Sequence, residues 1–294
     1  MYIEIDYNSG FCYGVVNTIN LAEKILRDGR PVYCIGAIVH NNREVERLKA
    51  LGISFIDKED LHEIHDSSVL IRTHGEPLST YGLIKKTNNI GYDGTCPIVA
   101  TLQKRVSKAA GEMNKVNGQV VLFGKKNHAE VKAIAGQSLV NLIVVGDLND
   151  LDQIDYSRPV YLFSQTTQSV KDFRNIGEII RQRMSIYFQK DNIPLNIKES
   201  ICKHVTNRAE TIKDFAKKFD CLIFISGQNS SNGKVLFEIC KNNNKNSHWI
   251  SKNEDIDKDW FTNSSSAGIC GATSTPRWQL EEASKIIEQL VKVI

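Results

Sequence analysis

Short runs of β-branched and apolar residues alternate with amphipathic stretches along this chain, and a polar loop separates each pair. Tyr2–Asp6 leads through Asn8–Gly14 to a helical pattern near Val15–Arg27. Pro31–Val39 leads through His40 and Asn41 to Arg43–Leu51, and Val69–Arg72 through His74-Gly75-Glu76-Pro77 to Ser79–Thr87. A loop carrying Cys96 opens a long helix at Ile98–Asn117. Gln119–Phe123 precedes Lys125, Lys126 and His128, then a helix from Glu130. Val160–Phe163 precedes Gln165-Thr166-Thr167 and a helix at Val170–Phe188, and Asn196–Cys202 enters one near Asn207–Phe219. Leu222–Ser226 runs through Asn229–Asn232 into Lys234–Asn242, and Gly268–Cys270 through Gly271–Pro276 into a last helix from Arg277.

Strands that alternate with helices predict an α/β protein with parallel sheets and right-handed crossovers. So many units imply several small α/β domains rather than one large sheet. Asp191–Lys198 reads as a linker, and Asn242–Asn246 and Ser264–Ser266 as loops. No strict sequence repeat is visible.

Ligands of parallel sheets bind beyond the carboxyl ends of the strands. The loops leaving those ends carry His40, His74, His128, Gln165, Thr166, Ser230, Ser231, Asn232 and Ser274. Each loop runs into a helix N-terminus, where free N–H groups and the helix dipole favour an anion such as phosphate. Ser, Thr and Asn in such places also serve as plain helix caps. The recurrence of the pattern, with a histidine in three loops, points beyond capping. His62 and His65 lie in a charged stretch and read as solvent-facing, while His204 and His248 show no partner. Gly227–Lys234 imitates a P-loop, but five residues separate its glycines and Val235 stands where Ser or Thr should hold magnesium. A triphosphate site is not expected there, although the same groups suit a smaller diphosphate.

Composition narrows the class. With 294 residues, 41% hydrophobic and 24% charged, the chain suits two or three compact units. A net charge of +3 leaves no footprint for nucleic acid or an acidic membrane. The N-terminal segment lacks the basic and apolar regions of a signal peptide, and the apolar runs are too short to span a bilayer, so a cytoplasmic protein is expected. Seven cysteines, an odd number with no Cys-x-x-Cys pair, argue against a disulfide framework or a local metal motif.

The cysteines divide by position. Cys34, Cys221 and Cys240 fall in predicted strands or on an apolar helix face, where burial is the default. Cys270 ends a strand near the loops and is ambiguous. Cys12, Cys96 and Cys202 each precede a helix, where the dipole stabilises the thiolate that a metal binds. Three such thiolates suit either a cubane iron–sulfur cluster with one iron left open or zinc with a water as fourth ligand.

Several motifs together resemble the hydroxymethylbutenyl diphosphate reductase family, whose members catalyse the last step of non-mevalonate isoprenoid synthesis. They are Gly10-Phe-Cys-Tyr-Gly-Val15, Ile38-Val-His-Asn41, Arg72-Thr-His-Gly75, Asp93-Gly-Thr-Cys-Pro97, His128-Ala-Glu-Val131, Gly136-Gln137, Gln165-Thr-Thr167, Ile201-Cys202, Asn207-Arg208, Asn229-Ser-Ser-Asn232 and Ala272-Thr-Ser-Thr-Pro276. They occur in the family's order along nearly the whole chain. Departures are local: Thr73 and Ala129 replace a usual Ala and Pro, Gly94 a common Ala, and Cys270 a frequent Thr.

The resemblance implies three α/β domains in a pseudo-threefold trefoil around a central [4Fe–4S] cluster. The domains would span residues 13–95, 96–196 and 197–294, with strand 1–12 joining the third. It maps Cys12, Cys96 and Cys202 onto the cluster ligands. It maps His40, His74, His128, Gln165, Thr166, Ser230, Ser231, Asn232 and Ser274 onto the substrate site, and Glu130, aided by Thr166, onto the proton donor. The implied reaction is reductive dehydroxylation of 4-hydroxy-3-methylbut-2-enyl diphosphate to isopentenyl and dimethylallyl diphosphate, with electrons from a ferredoxin- or flavodoxin-type carrier. A zinc hydrolase of a small diphosphate and a non-catalytic iron–sulfur sensor are the competing readings.

Overall fold

A computed structural model of the chain describes residues 1–137, 142–189 and 192–292. Its described strands form three separate parallel sheets of four strands each. The α/β reading therefore holds.

The first sheet is built from β2 (Val32–Ile35), β3 (Ile53–Ile56), β4 (Ser68–Ile71) and β5 (Ile90–Asp93), in the order β3-β2-β4-β5. The second uses β6 (Gln119–Phe123), β7 (Leu142–Val145), β8 (Val160–Ser164) and β9 (Leu195–Ile197), in the order β7-β6-β8-β9. The third uses β10 (Cys221–Ile225), β11 (Ser247–Ile250) and β12 (Ser266–Gly271), and β1 (Tyr2–Ile5) completes it, giving β11-β10-β12-β1. Tyr2 pairs with Ser266 and Ile5 with Ile269, so the N-terminal strand joins the last sheet as expected. All three sheets share one strand order without a shared sequence repeat.

Inner strands explain themselves. Ser68–Ile71, Gln119–Phe123 and Cys221–Ile225 are buried at every position, as continuous apolar runs covered on both faces require. Helix α4 (Pro97–Lys115) starts on a proline, which needs no N–H there, and turns Leu102, Val106, Ala109 and Ala110 onto Val120, Leu122 and Phe163. Helix α6 (Val170–Phe188) is capped by Ser169, whose hydroxyl accepts from Asp172 N–H, and buries Phe173, Ile176, Ile180 and Met184 at helical spacing. Each such side chain contributes about 1.5–3 kcal/mol by leaving water.

Two readings are corrected. Asp191 lies outside the described residues, but the rest of the supposed linker is not free chain, because Leu195–Ile197 pairs with β8 as an edge strand. His248 does have partners: its ring stacks on Trp260 at 4.0 Å and its Nε2 lies 2.8 Å from Asn246 Oδ1.

The chain divides into two compact units. One holds Met1–Val16, Ala37–Gly52 and Lys203–Ile294, with the β1-containing sheet. The other holds Asn17–Gly36 and Ile53–Cys202, with the remaining two sheets. No helix among the described residues is long and apolar enough to cross a membrane.

Candidate active site

Burial separates the cysteines as their sequence positions suggest. Cys34, Cys221, Cys240 and Cys270 are all 0% exposed. Desolvation pushes the Cys34 and Cys221 thiols up to about 12, so neither supplies a thiolate at neutral pH. Cys270, ambiguous from sequence, packs beside Cys240 in the core under β12, and burial raises its thiol as well. Cys12, Cys96 and Cys202 are instead half-buried and in no disulfide. Each is the residue immediately before a helix: α1 (Tyr13–Ile25), α4, and α7 (Lys203–Ala216).

The three settings share more than a helix. Cys96 N–H donates to Thr73 O at 3.0 Å, Cys202 N–H to Thr166 O at 2.9 Å, and Cys12 N–H to Thr273 O at 3.3 Å. Each threonine lies two positions beyond an inner strand, β4, β8 or β12, and each cysteine follows the edge strand beside it, β5, β9 or β1. Sequence reading placed the cysteines but missed Thr73 and Thr273. Their contribution is a backbone carbonyl, which no side-chain motif records.

Within the first unit, four of the expected substrate residues gather around helix α8 (Ser231–Asn243). Ser230 caps it, its Oγ accepting from Gly233 N–H at 3.0 Å, and Ser274 Oγ donates to that same oxygen at 3.4 Å. Asn232 Nδ2 donates to Thr273 Oγ1 at 3.0 Å, while its Oδ1 is buried without a partner among the described residues. Ser231 occupies the first helical position beside them. The capping reading of Ser230 is thus correct and leaves the N-terminal N–H groups of α8 aimed at the loop. His40 approaches from another segment. A Cβ on Gly227 would lie 2.0 Å from the His40 carbonyl oxygen, so only glycine permits that contact.

The second unit holds His74, His128, Glu130, Gln165 and Thr166. The half-buried rings of His74 and His128 meet edge-on, with centroids 5.2 Å apart. His128 caps α5 (Ala129–Ala135), its Nδ1 accepting from Glu130 N–H at 3.2 Å. A neutral ring in this arrangement carries its proton on Nε2. Gln165 is sealed in the loop: Oε1 accepts from Lys125 N–H at 3.1 Å and from Gln168 at 3.1 Å, while Nε2 donates to Thr167 at 3.0 Å. Its amide shapes the loop that presents Thr166.

Glu130 is 1% exposed. Thr166 N–H donates to Oε1 at 2.8 Å and Thr166 Oγ1 donates to Oε2 at 2.7 Å. Burial pushes the carboxyl up to about 7, and the two Thr166 bonds hold it back from rising further. A carboxyl poised there can hold or release a proton near neutral pH, which general acid catalysis demands.

Parallel sheets whose strand-end loops carry half-buried thiols, helix N-termini and, at Glu130, a protonatable buried acid have the make-up of an α/β enzyme. Within that class the chain belongs to the LytB family, whose model, described as LytB protein, matches residues 3–288. A curated relative from Bacteroides fragilis named 4-hydroxy-3-methylbut-2-enyl diphosphate reductase is 43% identical over 99% of this chain and 98% of its own. One of the same name from Parabacteroides distasonis is 43% identical over 98% of each. Two solved structures are also similar. One, described as (E)-4-hydroxy-3-methyl-but-2-enyl diphosphate reductase, the terminal enzyme of the non-mevalonate pathway, is 30% identical with a TM-score of 0.71, covering 100% of both chains. The other, a Plasmodium falciparum E-1-hydroxy-2-methyl-but-2-enyl-4-diphosphate reductase, is 26% identical with a TM-score of 0.82, covering 97% of this chain and 87% of that one.

Proposed function

We propose that this chain is a 4-hydroxy-3-methylbut-2-enyl diphosphate reductase that holds a [4Fe–4S] cluster through Cys12, Cys96 and Cys202. The observation that carries the cluster is the contrast among the seven cysteines. Four are sealed in the core, while three are half-buried and set before helices by the same backbone bond. Three soft thiolates on helix N-termini fit such a group. When bound, the cluster supplies single electrons and an open Lewis-acidic iron.

The protein's own part follows from its residues. The α8 N-terminus with Ser230, Ser231, Asn232 and Ser274, together with His40, His74 and His128, binds the diphosphate oxygens. Glu130 delivers the protons, and Thr166 fixes both carboxyl oxygens so that the acid presents one orientation. The net reaction exchanges a C–O bond for a C–H bond, consuming two electrons and two protons and releasing water. The products are isopentenyl and dimethylallyl diphosphate. A small ferredoxin- or flavodoxin-type carrier supplies the electrons, and seven cysteines with no disulfide among them suit a reducing, cytoplasmic compartment. We assign the three domains to residues 13–95, 96–196 and 197–294, with 1–12 joining the third.

Anaerobic purification with iron and sulfide analysis tests the reading. A brown protein that converts the diphosphate to the two products with a strong reductant supports it. A colourless zinc protein that hydrolyses a diphosphate without electrons would overturn it, since the same three thiols can hold zinc.

A further inference from the structure

Behind the Cys12 loop, and outside every role assigned so far, lies a buried ionic network within the first unit. Asp6 and Arg208 are each 4% exposed and Ser9 is 6% exposed. Arg208 Nη1 pairs with Asp6 Oδ2. Its Nη2 donates to Ser9 Oγ at 2.6 Å and to Gly271 O at 3.2 Å. Ser9 Oγ in turn donates to Asp6 Oδ2 at 3.0 Å and accepts from Gly271 N–H at 2.9 Å. One hydroxyl thus uses its donor and both its acceptor positions at once. Arg277 adds a bond from Nη1 to Asp6 O at 3.1 Å.

A buried ion pair is a poor source of bulk stability, because desolvating both charges offsets their attraction. This one sits where geometry is at a premium. Asp6 directly follows β1 and Cys12 directly precedes α1, so the loop between them must hold one shape for its thiol to point one way. Gly10, at φ +134°, makes the turn between Ser9 and Cys12 that other residues rarely adopt. Ser9 is therefore fastened to Arg208 and β12, Cys12 N–H to Thr273 O, and the chain between is short.

We propose that Arg208 is a positioning residue: acting through Asp6 and Ser9, its guanidinium fork clamps the loop that presents the Cys12 thiol. Lysine cannot replace it, since an ammonium lacks the planar fork that reaches the carboxylate, the hydroxyl and the carbonyl together. The inference rests on Cys12 being a cluster ligand, and one measurement separates the two claims.

The full chain is alkylated with iodoacetamide, before and after removal of iron by a chelator, and each cysteine is followed by mass spectrometry. In the wild type, iron should protect Cys12, Cys96 and Cys202. In the iron-free chain, Arg208→Lys and Ser9→Ala should each raise the Cys12 rate about tenfold, the effect of losing one buried hydrogen bond from the closed loop. Cys96 and Cys202 should keep their rates, whereas general loosening of the fold would raise all three. On iron–sulfide reconstitution, the same variants should bind less iron per chain than the wild type. Ser9→Ala leaves the ion pair intact, so it reports on the clamp even if the Arg208 variant fails to fold. Equal Cys12 rates and equal iron binding in Ser9→Ala and wild type would overturn the clamp. A wild-type Cys12 rate indifferent to iron would instead overturn the ligand assignment on which it rests.

Discussion

Thr166 closes both carboxyl oxygens of Glu130, one through its N–H at 2.8 Å and the other through its hydroxyl at 2.7 Å. The pair is a buried acid with a built-in restraint: desolvation drives the proton on, and the two donors favour its release. The chemistry of this site should follow that balance.

Glu130→Gln keeps the shape and the bond from Thr166 N–H, with its Nε2 donating to Thr166 Oγ1 where the carboxylate accepted, but cannot deliver a proton. We predict an intact cluster spectrum and turnover reduced about a hundredfold or more. Unchanged steady-state turnover would remove Glu130 from the proton role.

The same carboxyl sets a pH dependence of stability. Its ordinary value is 4.5 and its folded value about 7, so folding favours the protonated form. That contribution is complete below about pH 4.5 and is lost as pH rises through about 7. Glu130→Gln mimics the protonated acid. It should therefore be more stable than wild type by about 3 kcal/mol near pH 9, with the gap closing near pH 4. Denaturant titrations of both proteins across this range check the sign.

Thr166→Val removes the hydroxyl that favours the carboxylate and leaves the backbone N–H in place. The Glu130 carboxyl should rise further, so the alkaline limb of the turnover profile should move to higher pH. A limb that stays put, or moves toward acid, contradicts the coupling.

The cysteines offer a control set. Cys96→Ser, Cys12→Ser and Cys202→Ser should each yield protein with a damaged or missing cluster, read from iron, sulfide and the visible spectrum. Cys240→Ala should keep full iron content yet lose about 1–2 kcal/mol of stability, because it opens a small hole in a core that excludes water.

Gly227→Ala tests the approach of the His40 segment. A Cβ there would stand 2.0 Å from the His40 carbonyl, backbone against side chain, and one of the two must move. We predict a loss of about 1–3 kcal/mol and a raised KM for the diphosphate, with iron content unchanged. Wild-type KM in this variant would show that His40 tolerates displacement.

Much of this architecture was legible in the sequence, and the failures have physical causes. The inner strands read clearly because burial on both faces demands unbroken apolar runs, as in Val120–Phe123 and Leu222–Ile225. The edge strands β3, β5, β7, β9 and β11 were missed. Ile90–Asp93 is mostly exposed and carries Gly91 and Asp93, while Leu195–Ile197 has only three residues with a polar centre. The candidate site residues could be proposed from side chains alone: Cys12, Cys96 and Cys202 stand before helices, and Glu130 lies two positions after His128. The Thr73 and Thr273 carbonyls could not, because a carbonyl carries no residue identity. Nor could the Arg208 clamp, whose partner Ser9 lies 199 positions away.

The pairing of β1 with β12 also orders events in time. Tyr2 is synthesised 264 residues before its partner Ser266. Until then the strand has no neighbour, and Cys12 has neither Thr273 to bond nor Gly271 behind Ser9. At ribosomal rates the gap is on the order of tens of seconds. Thus Cys12, made before the other six cysteines of this sequence, gains its backbone partner Thr273 only after all six have been made.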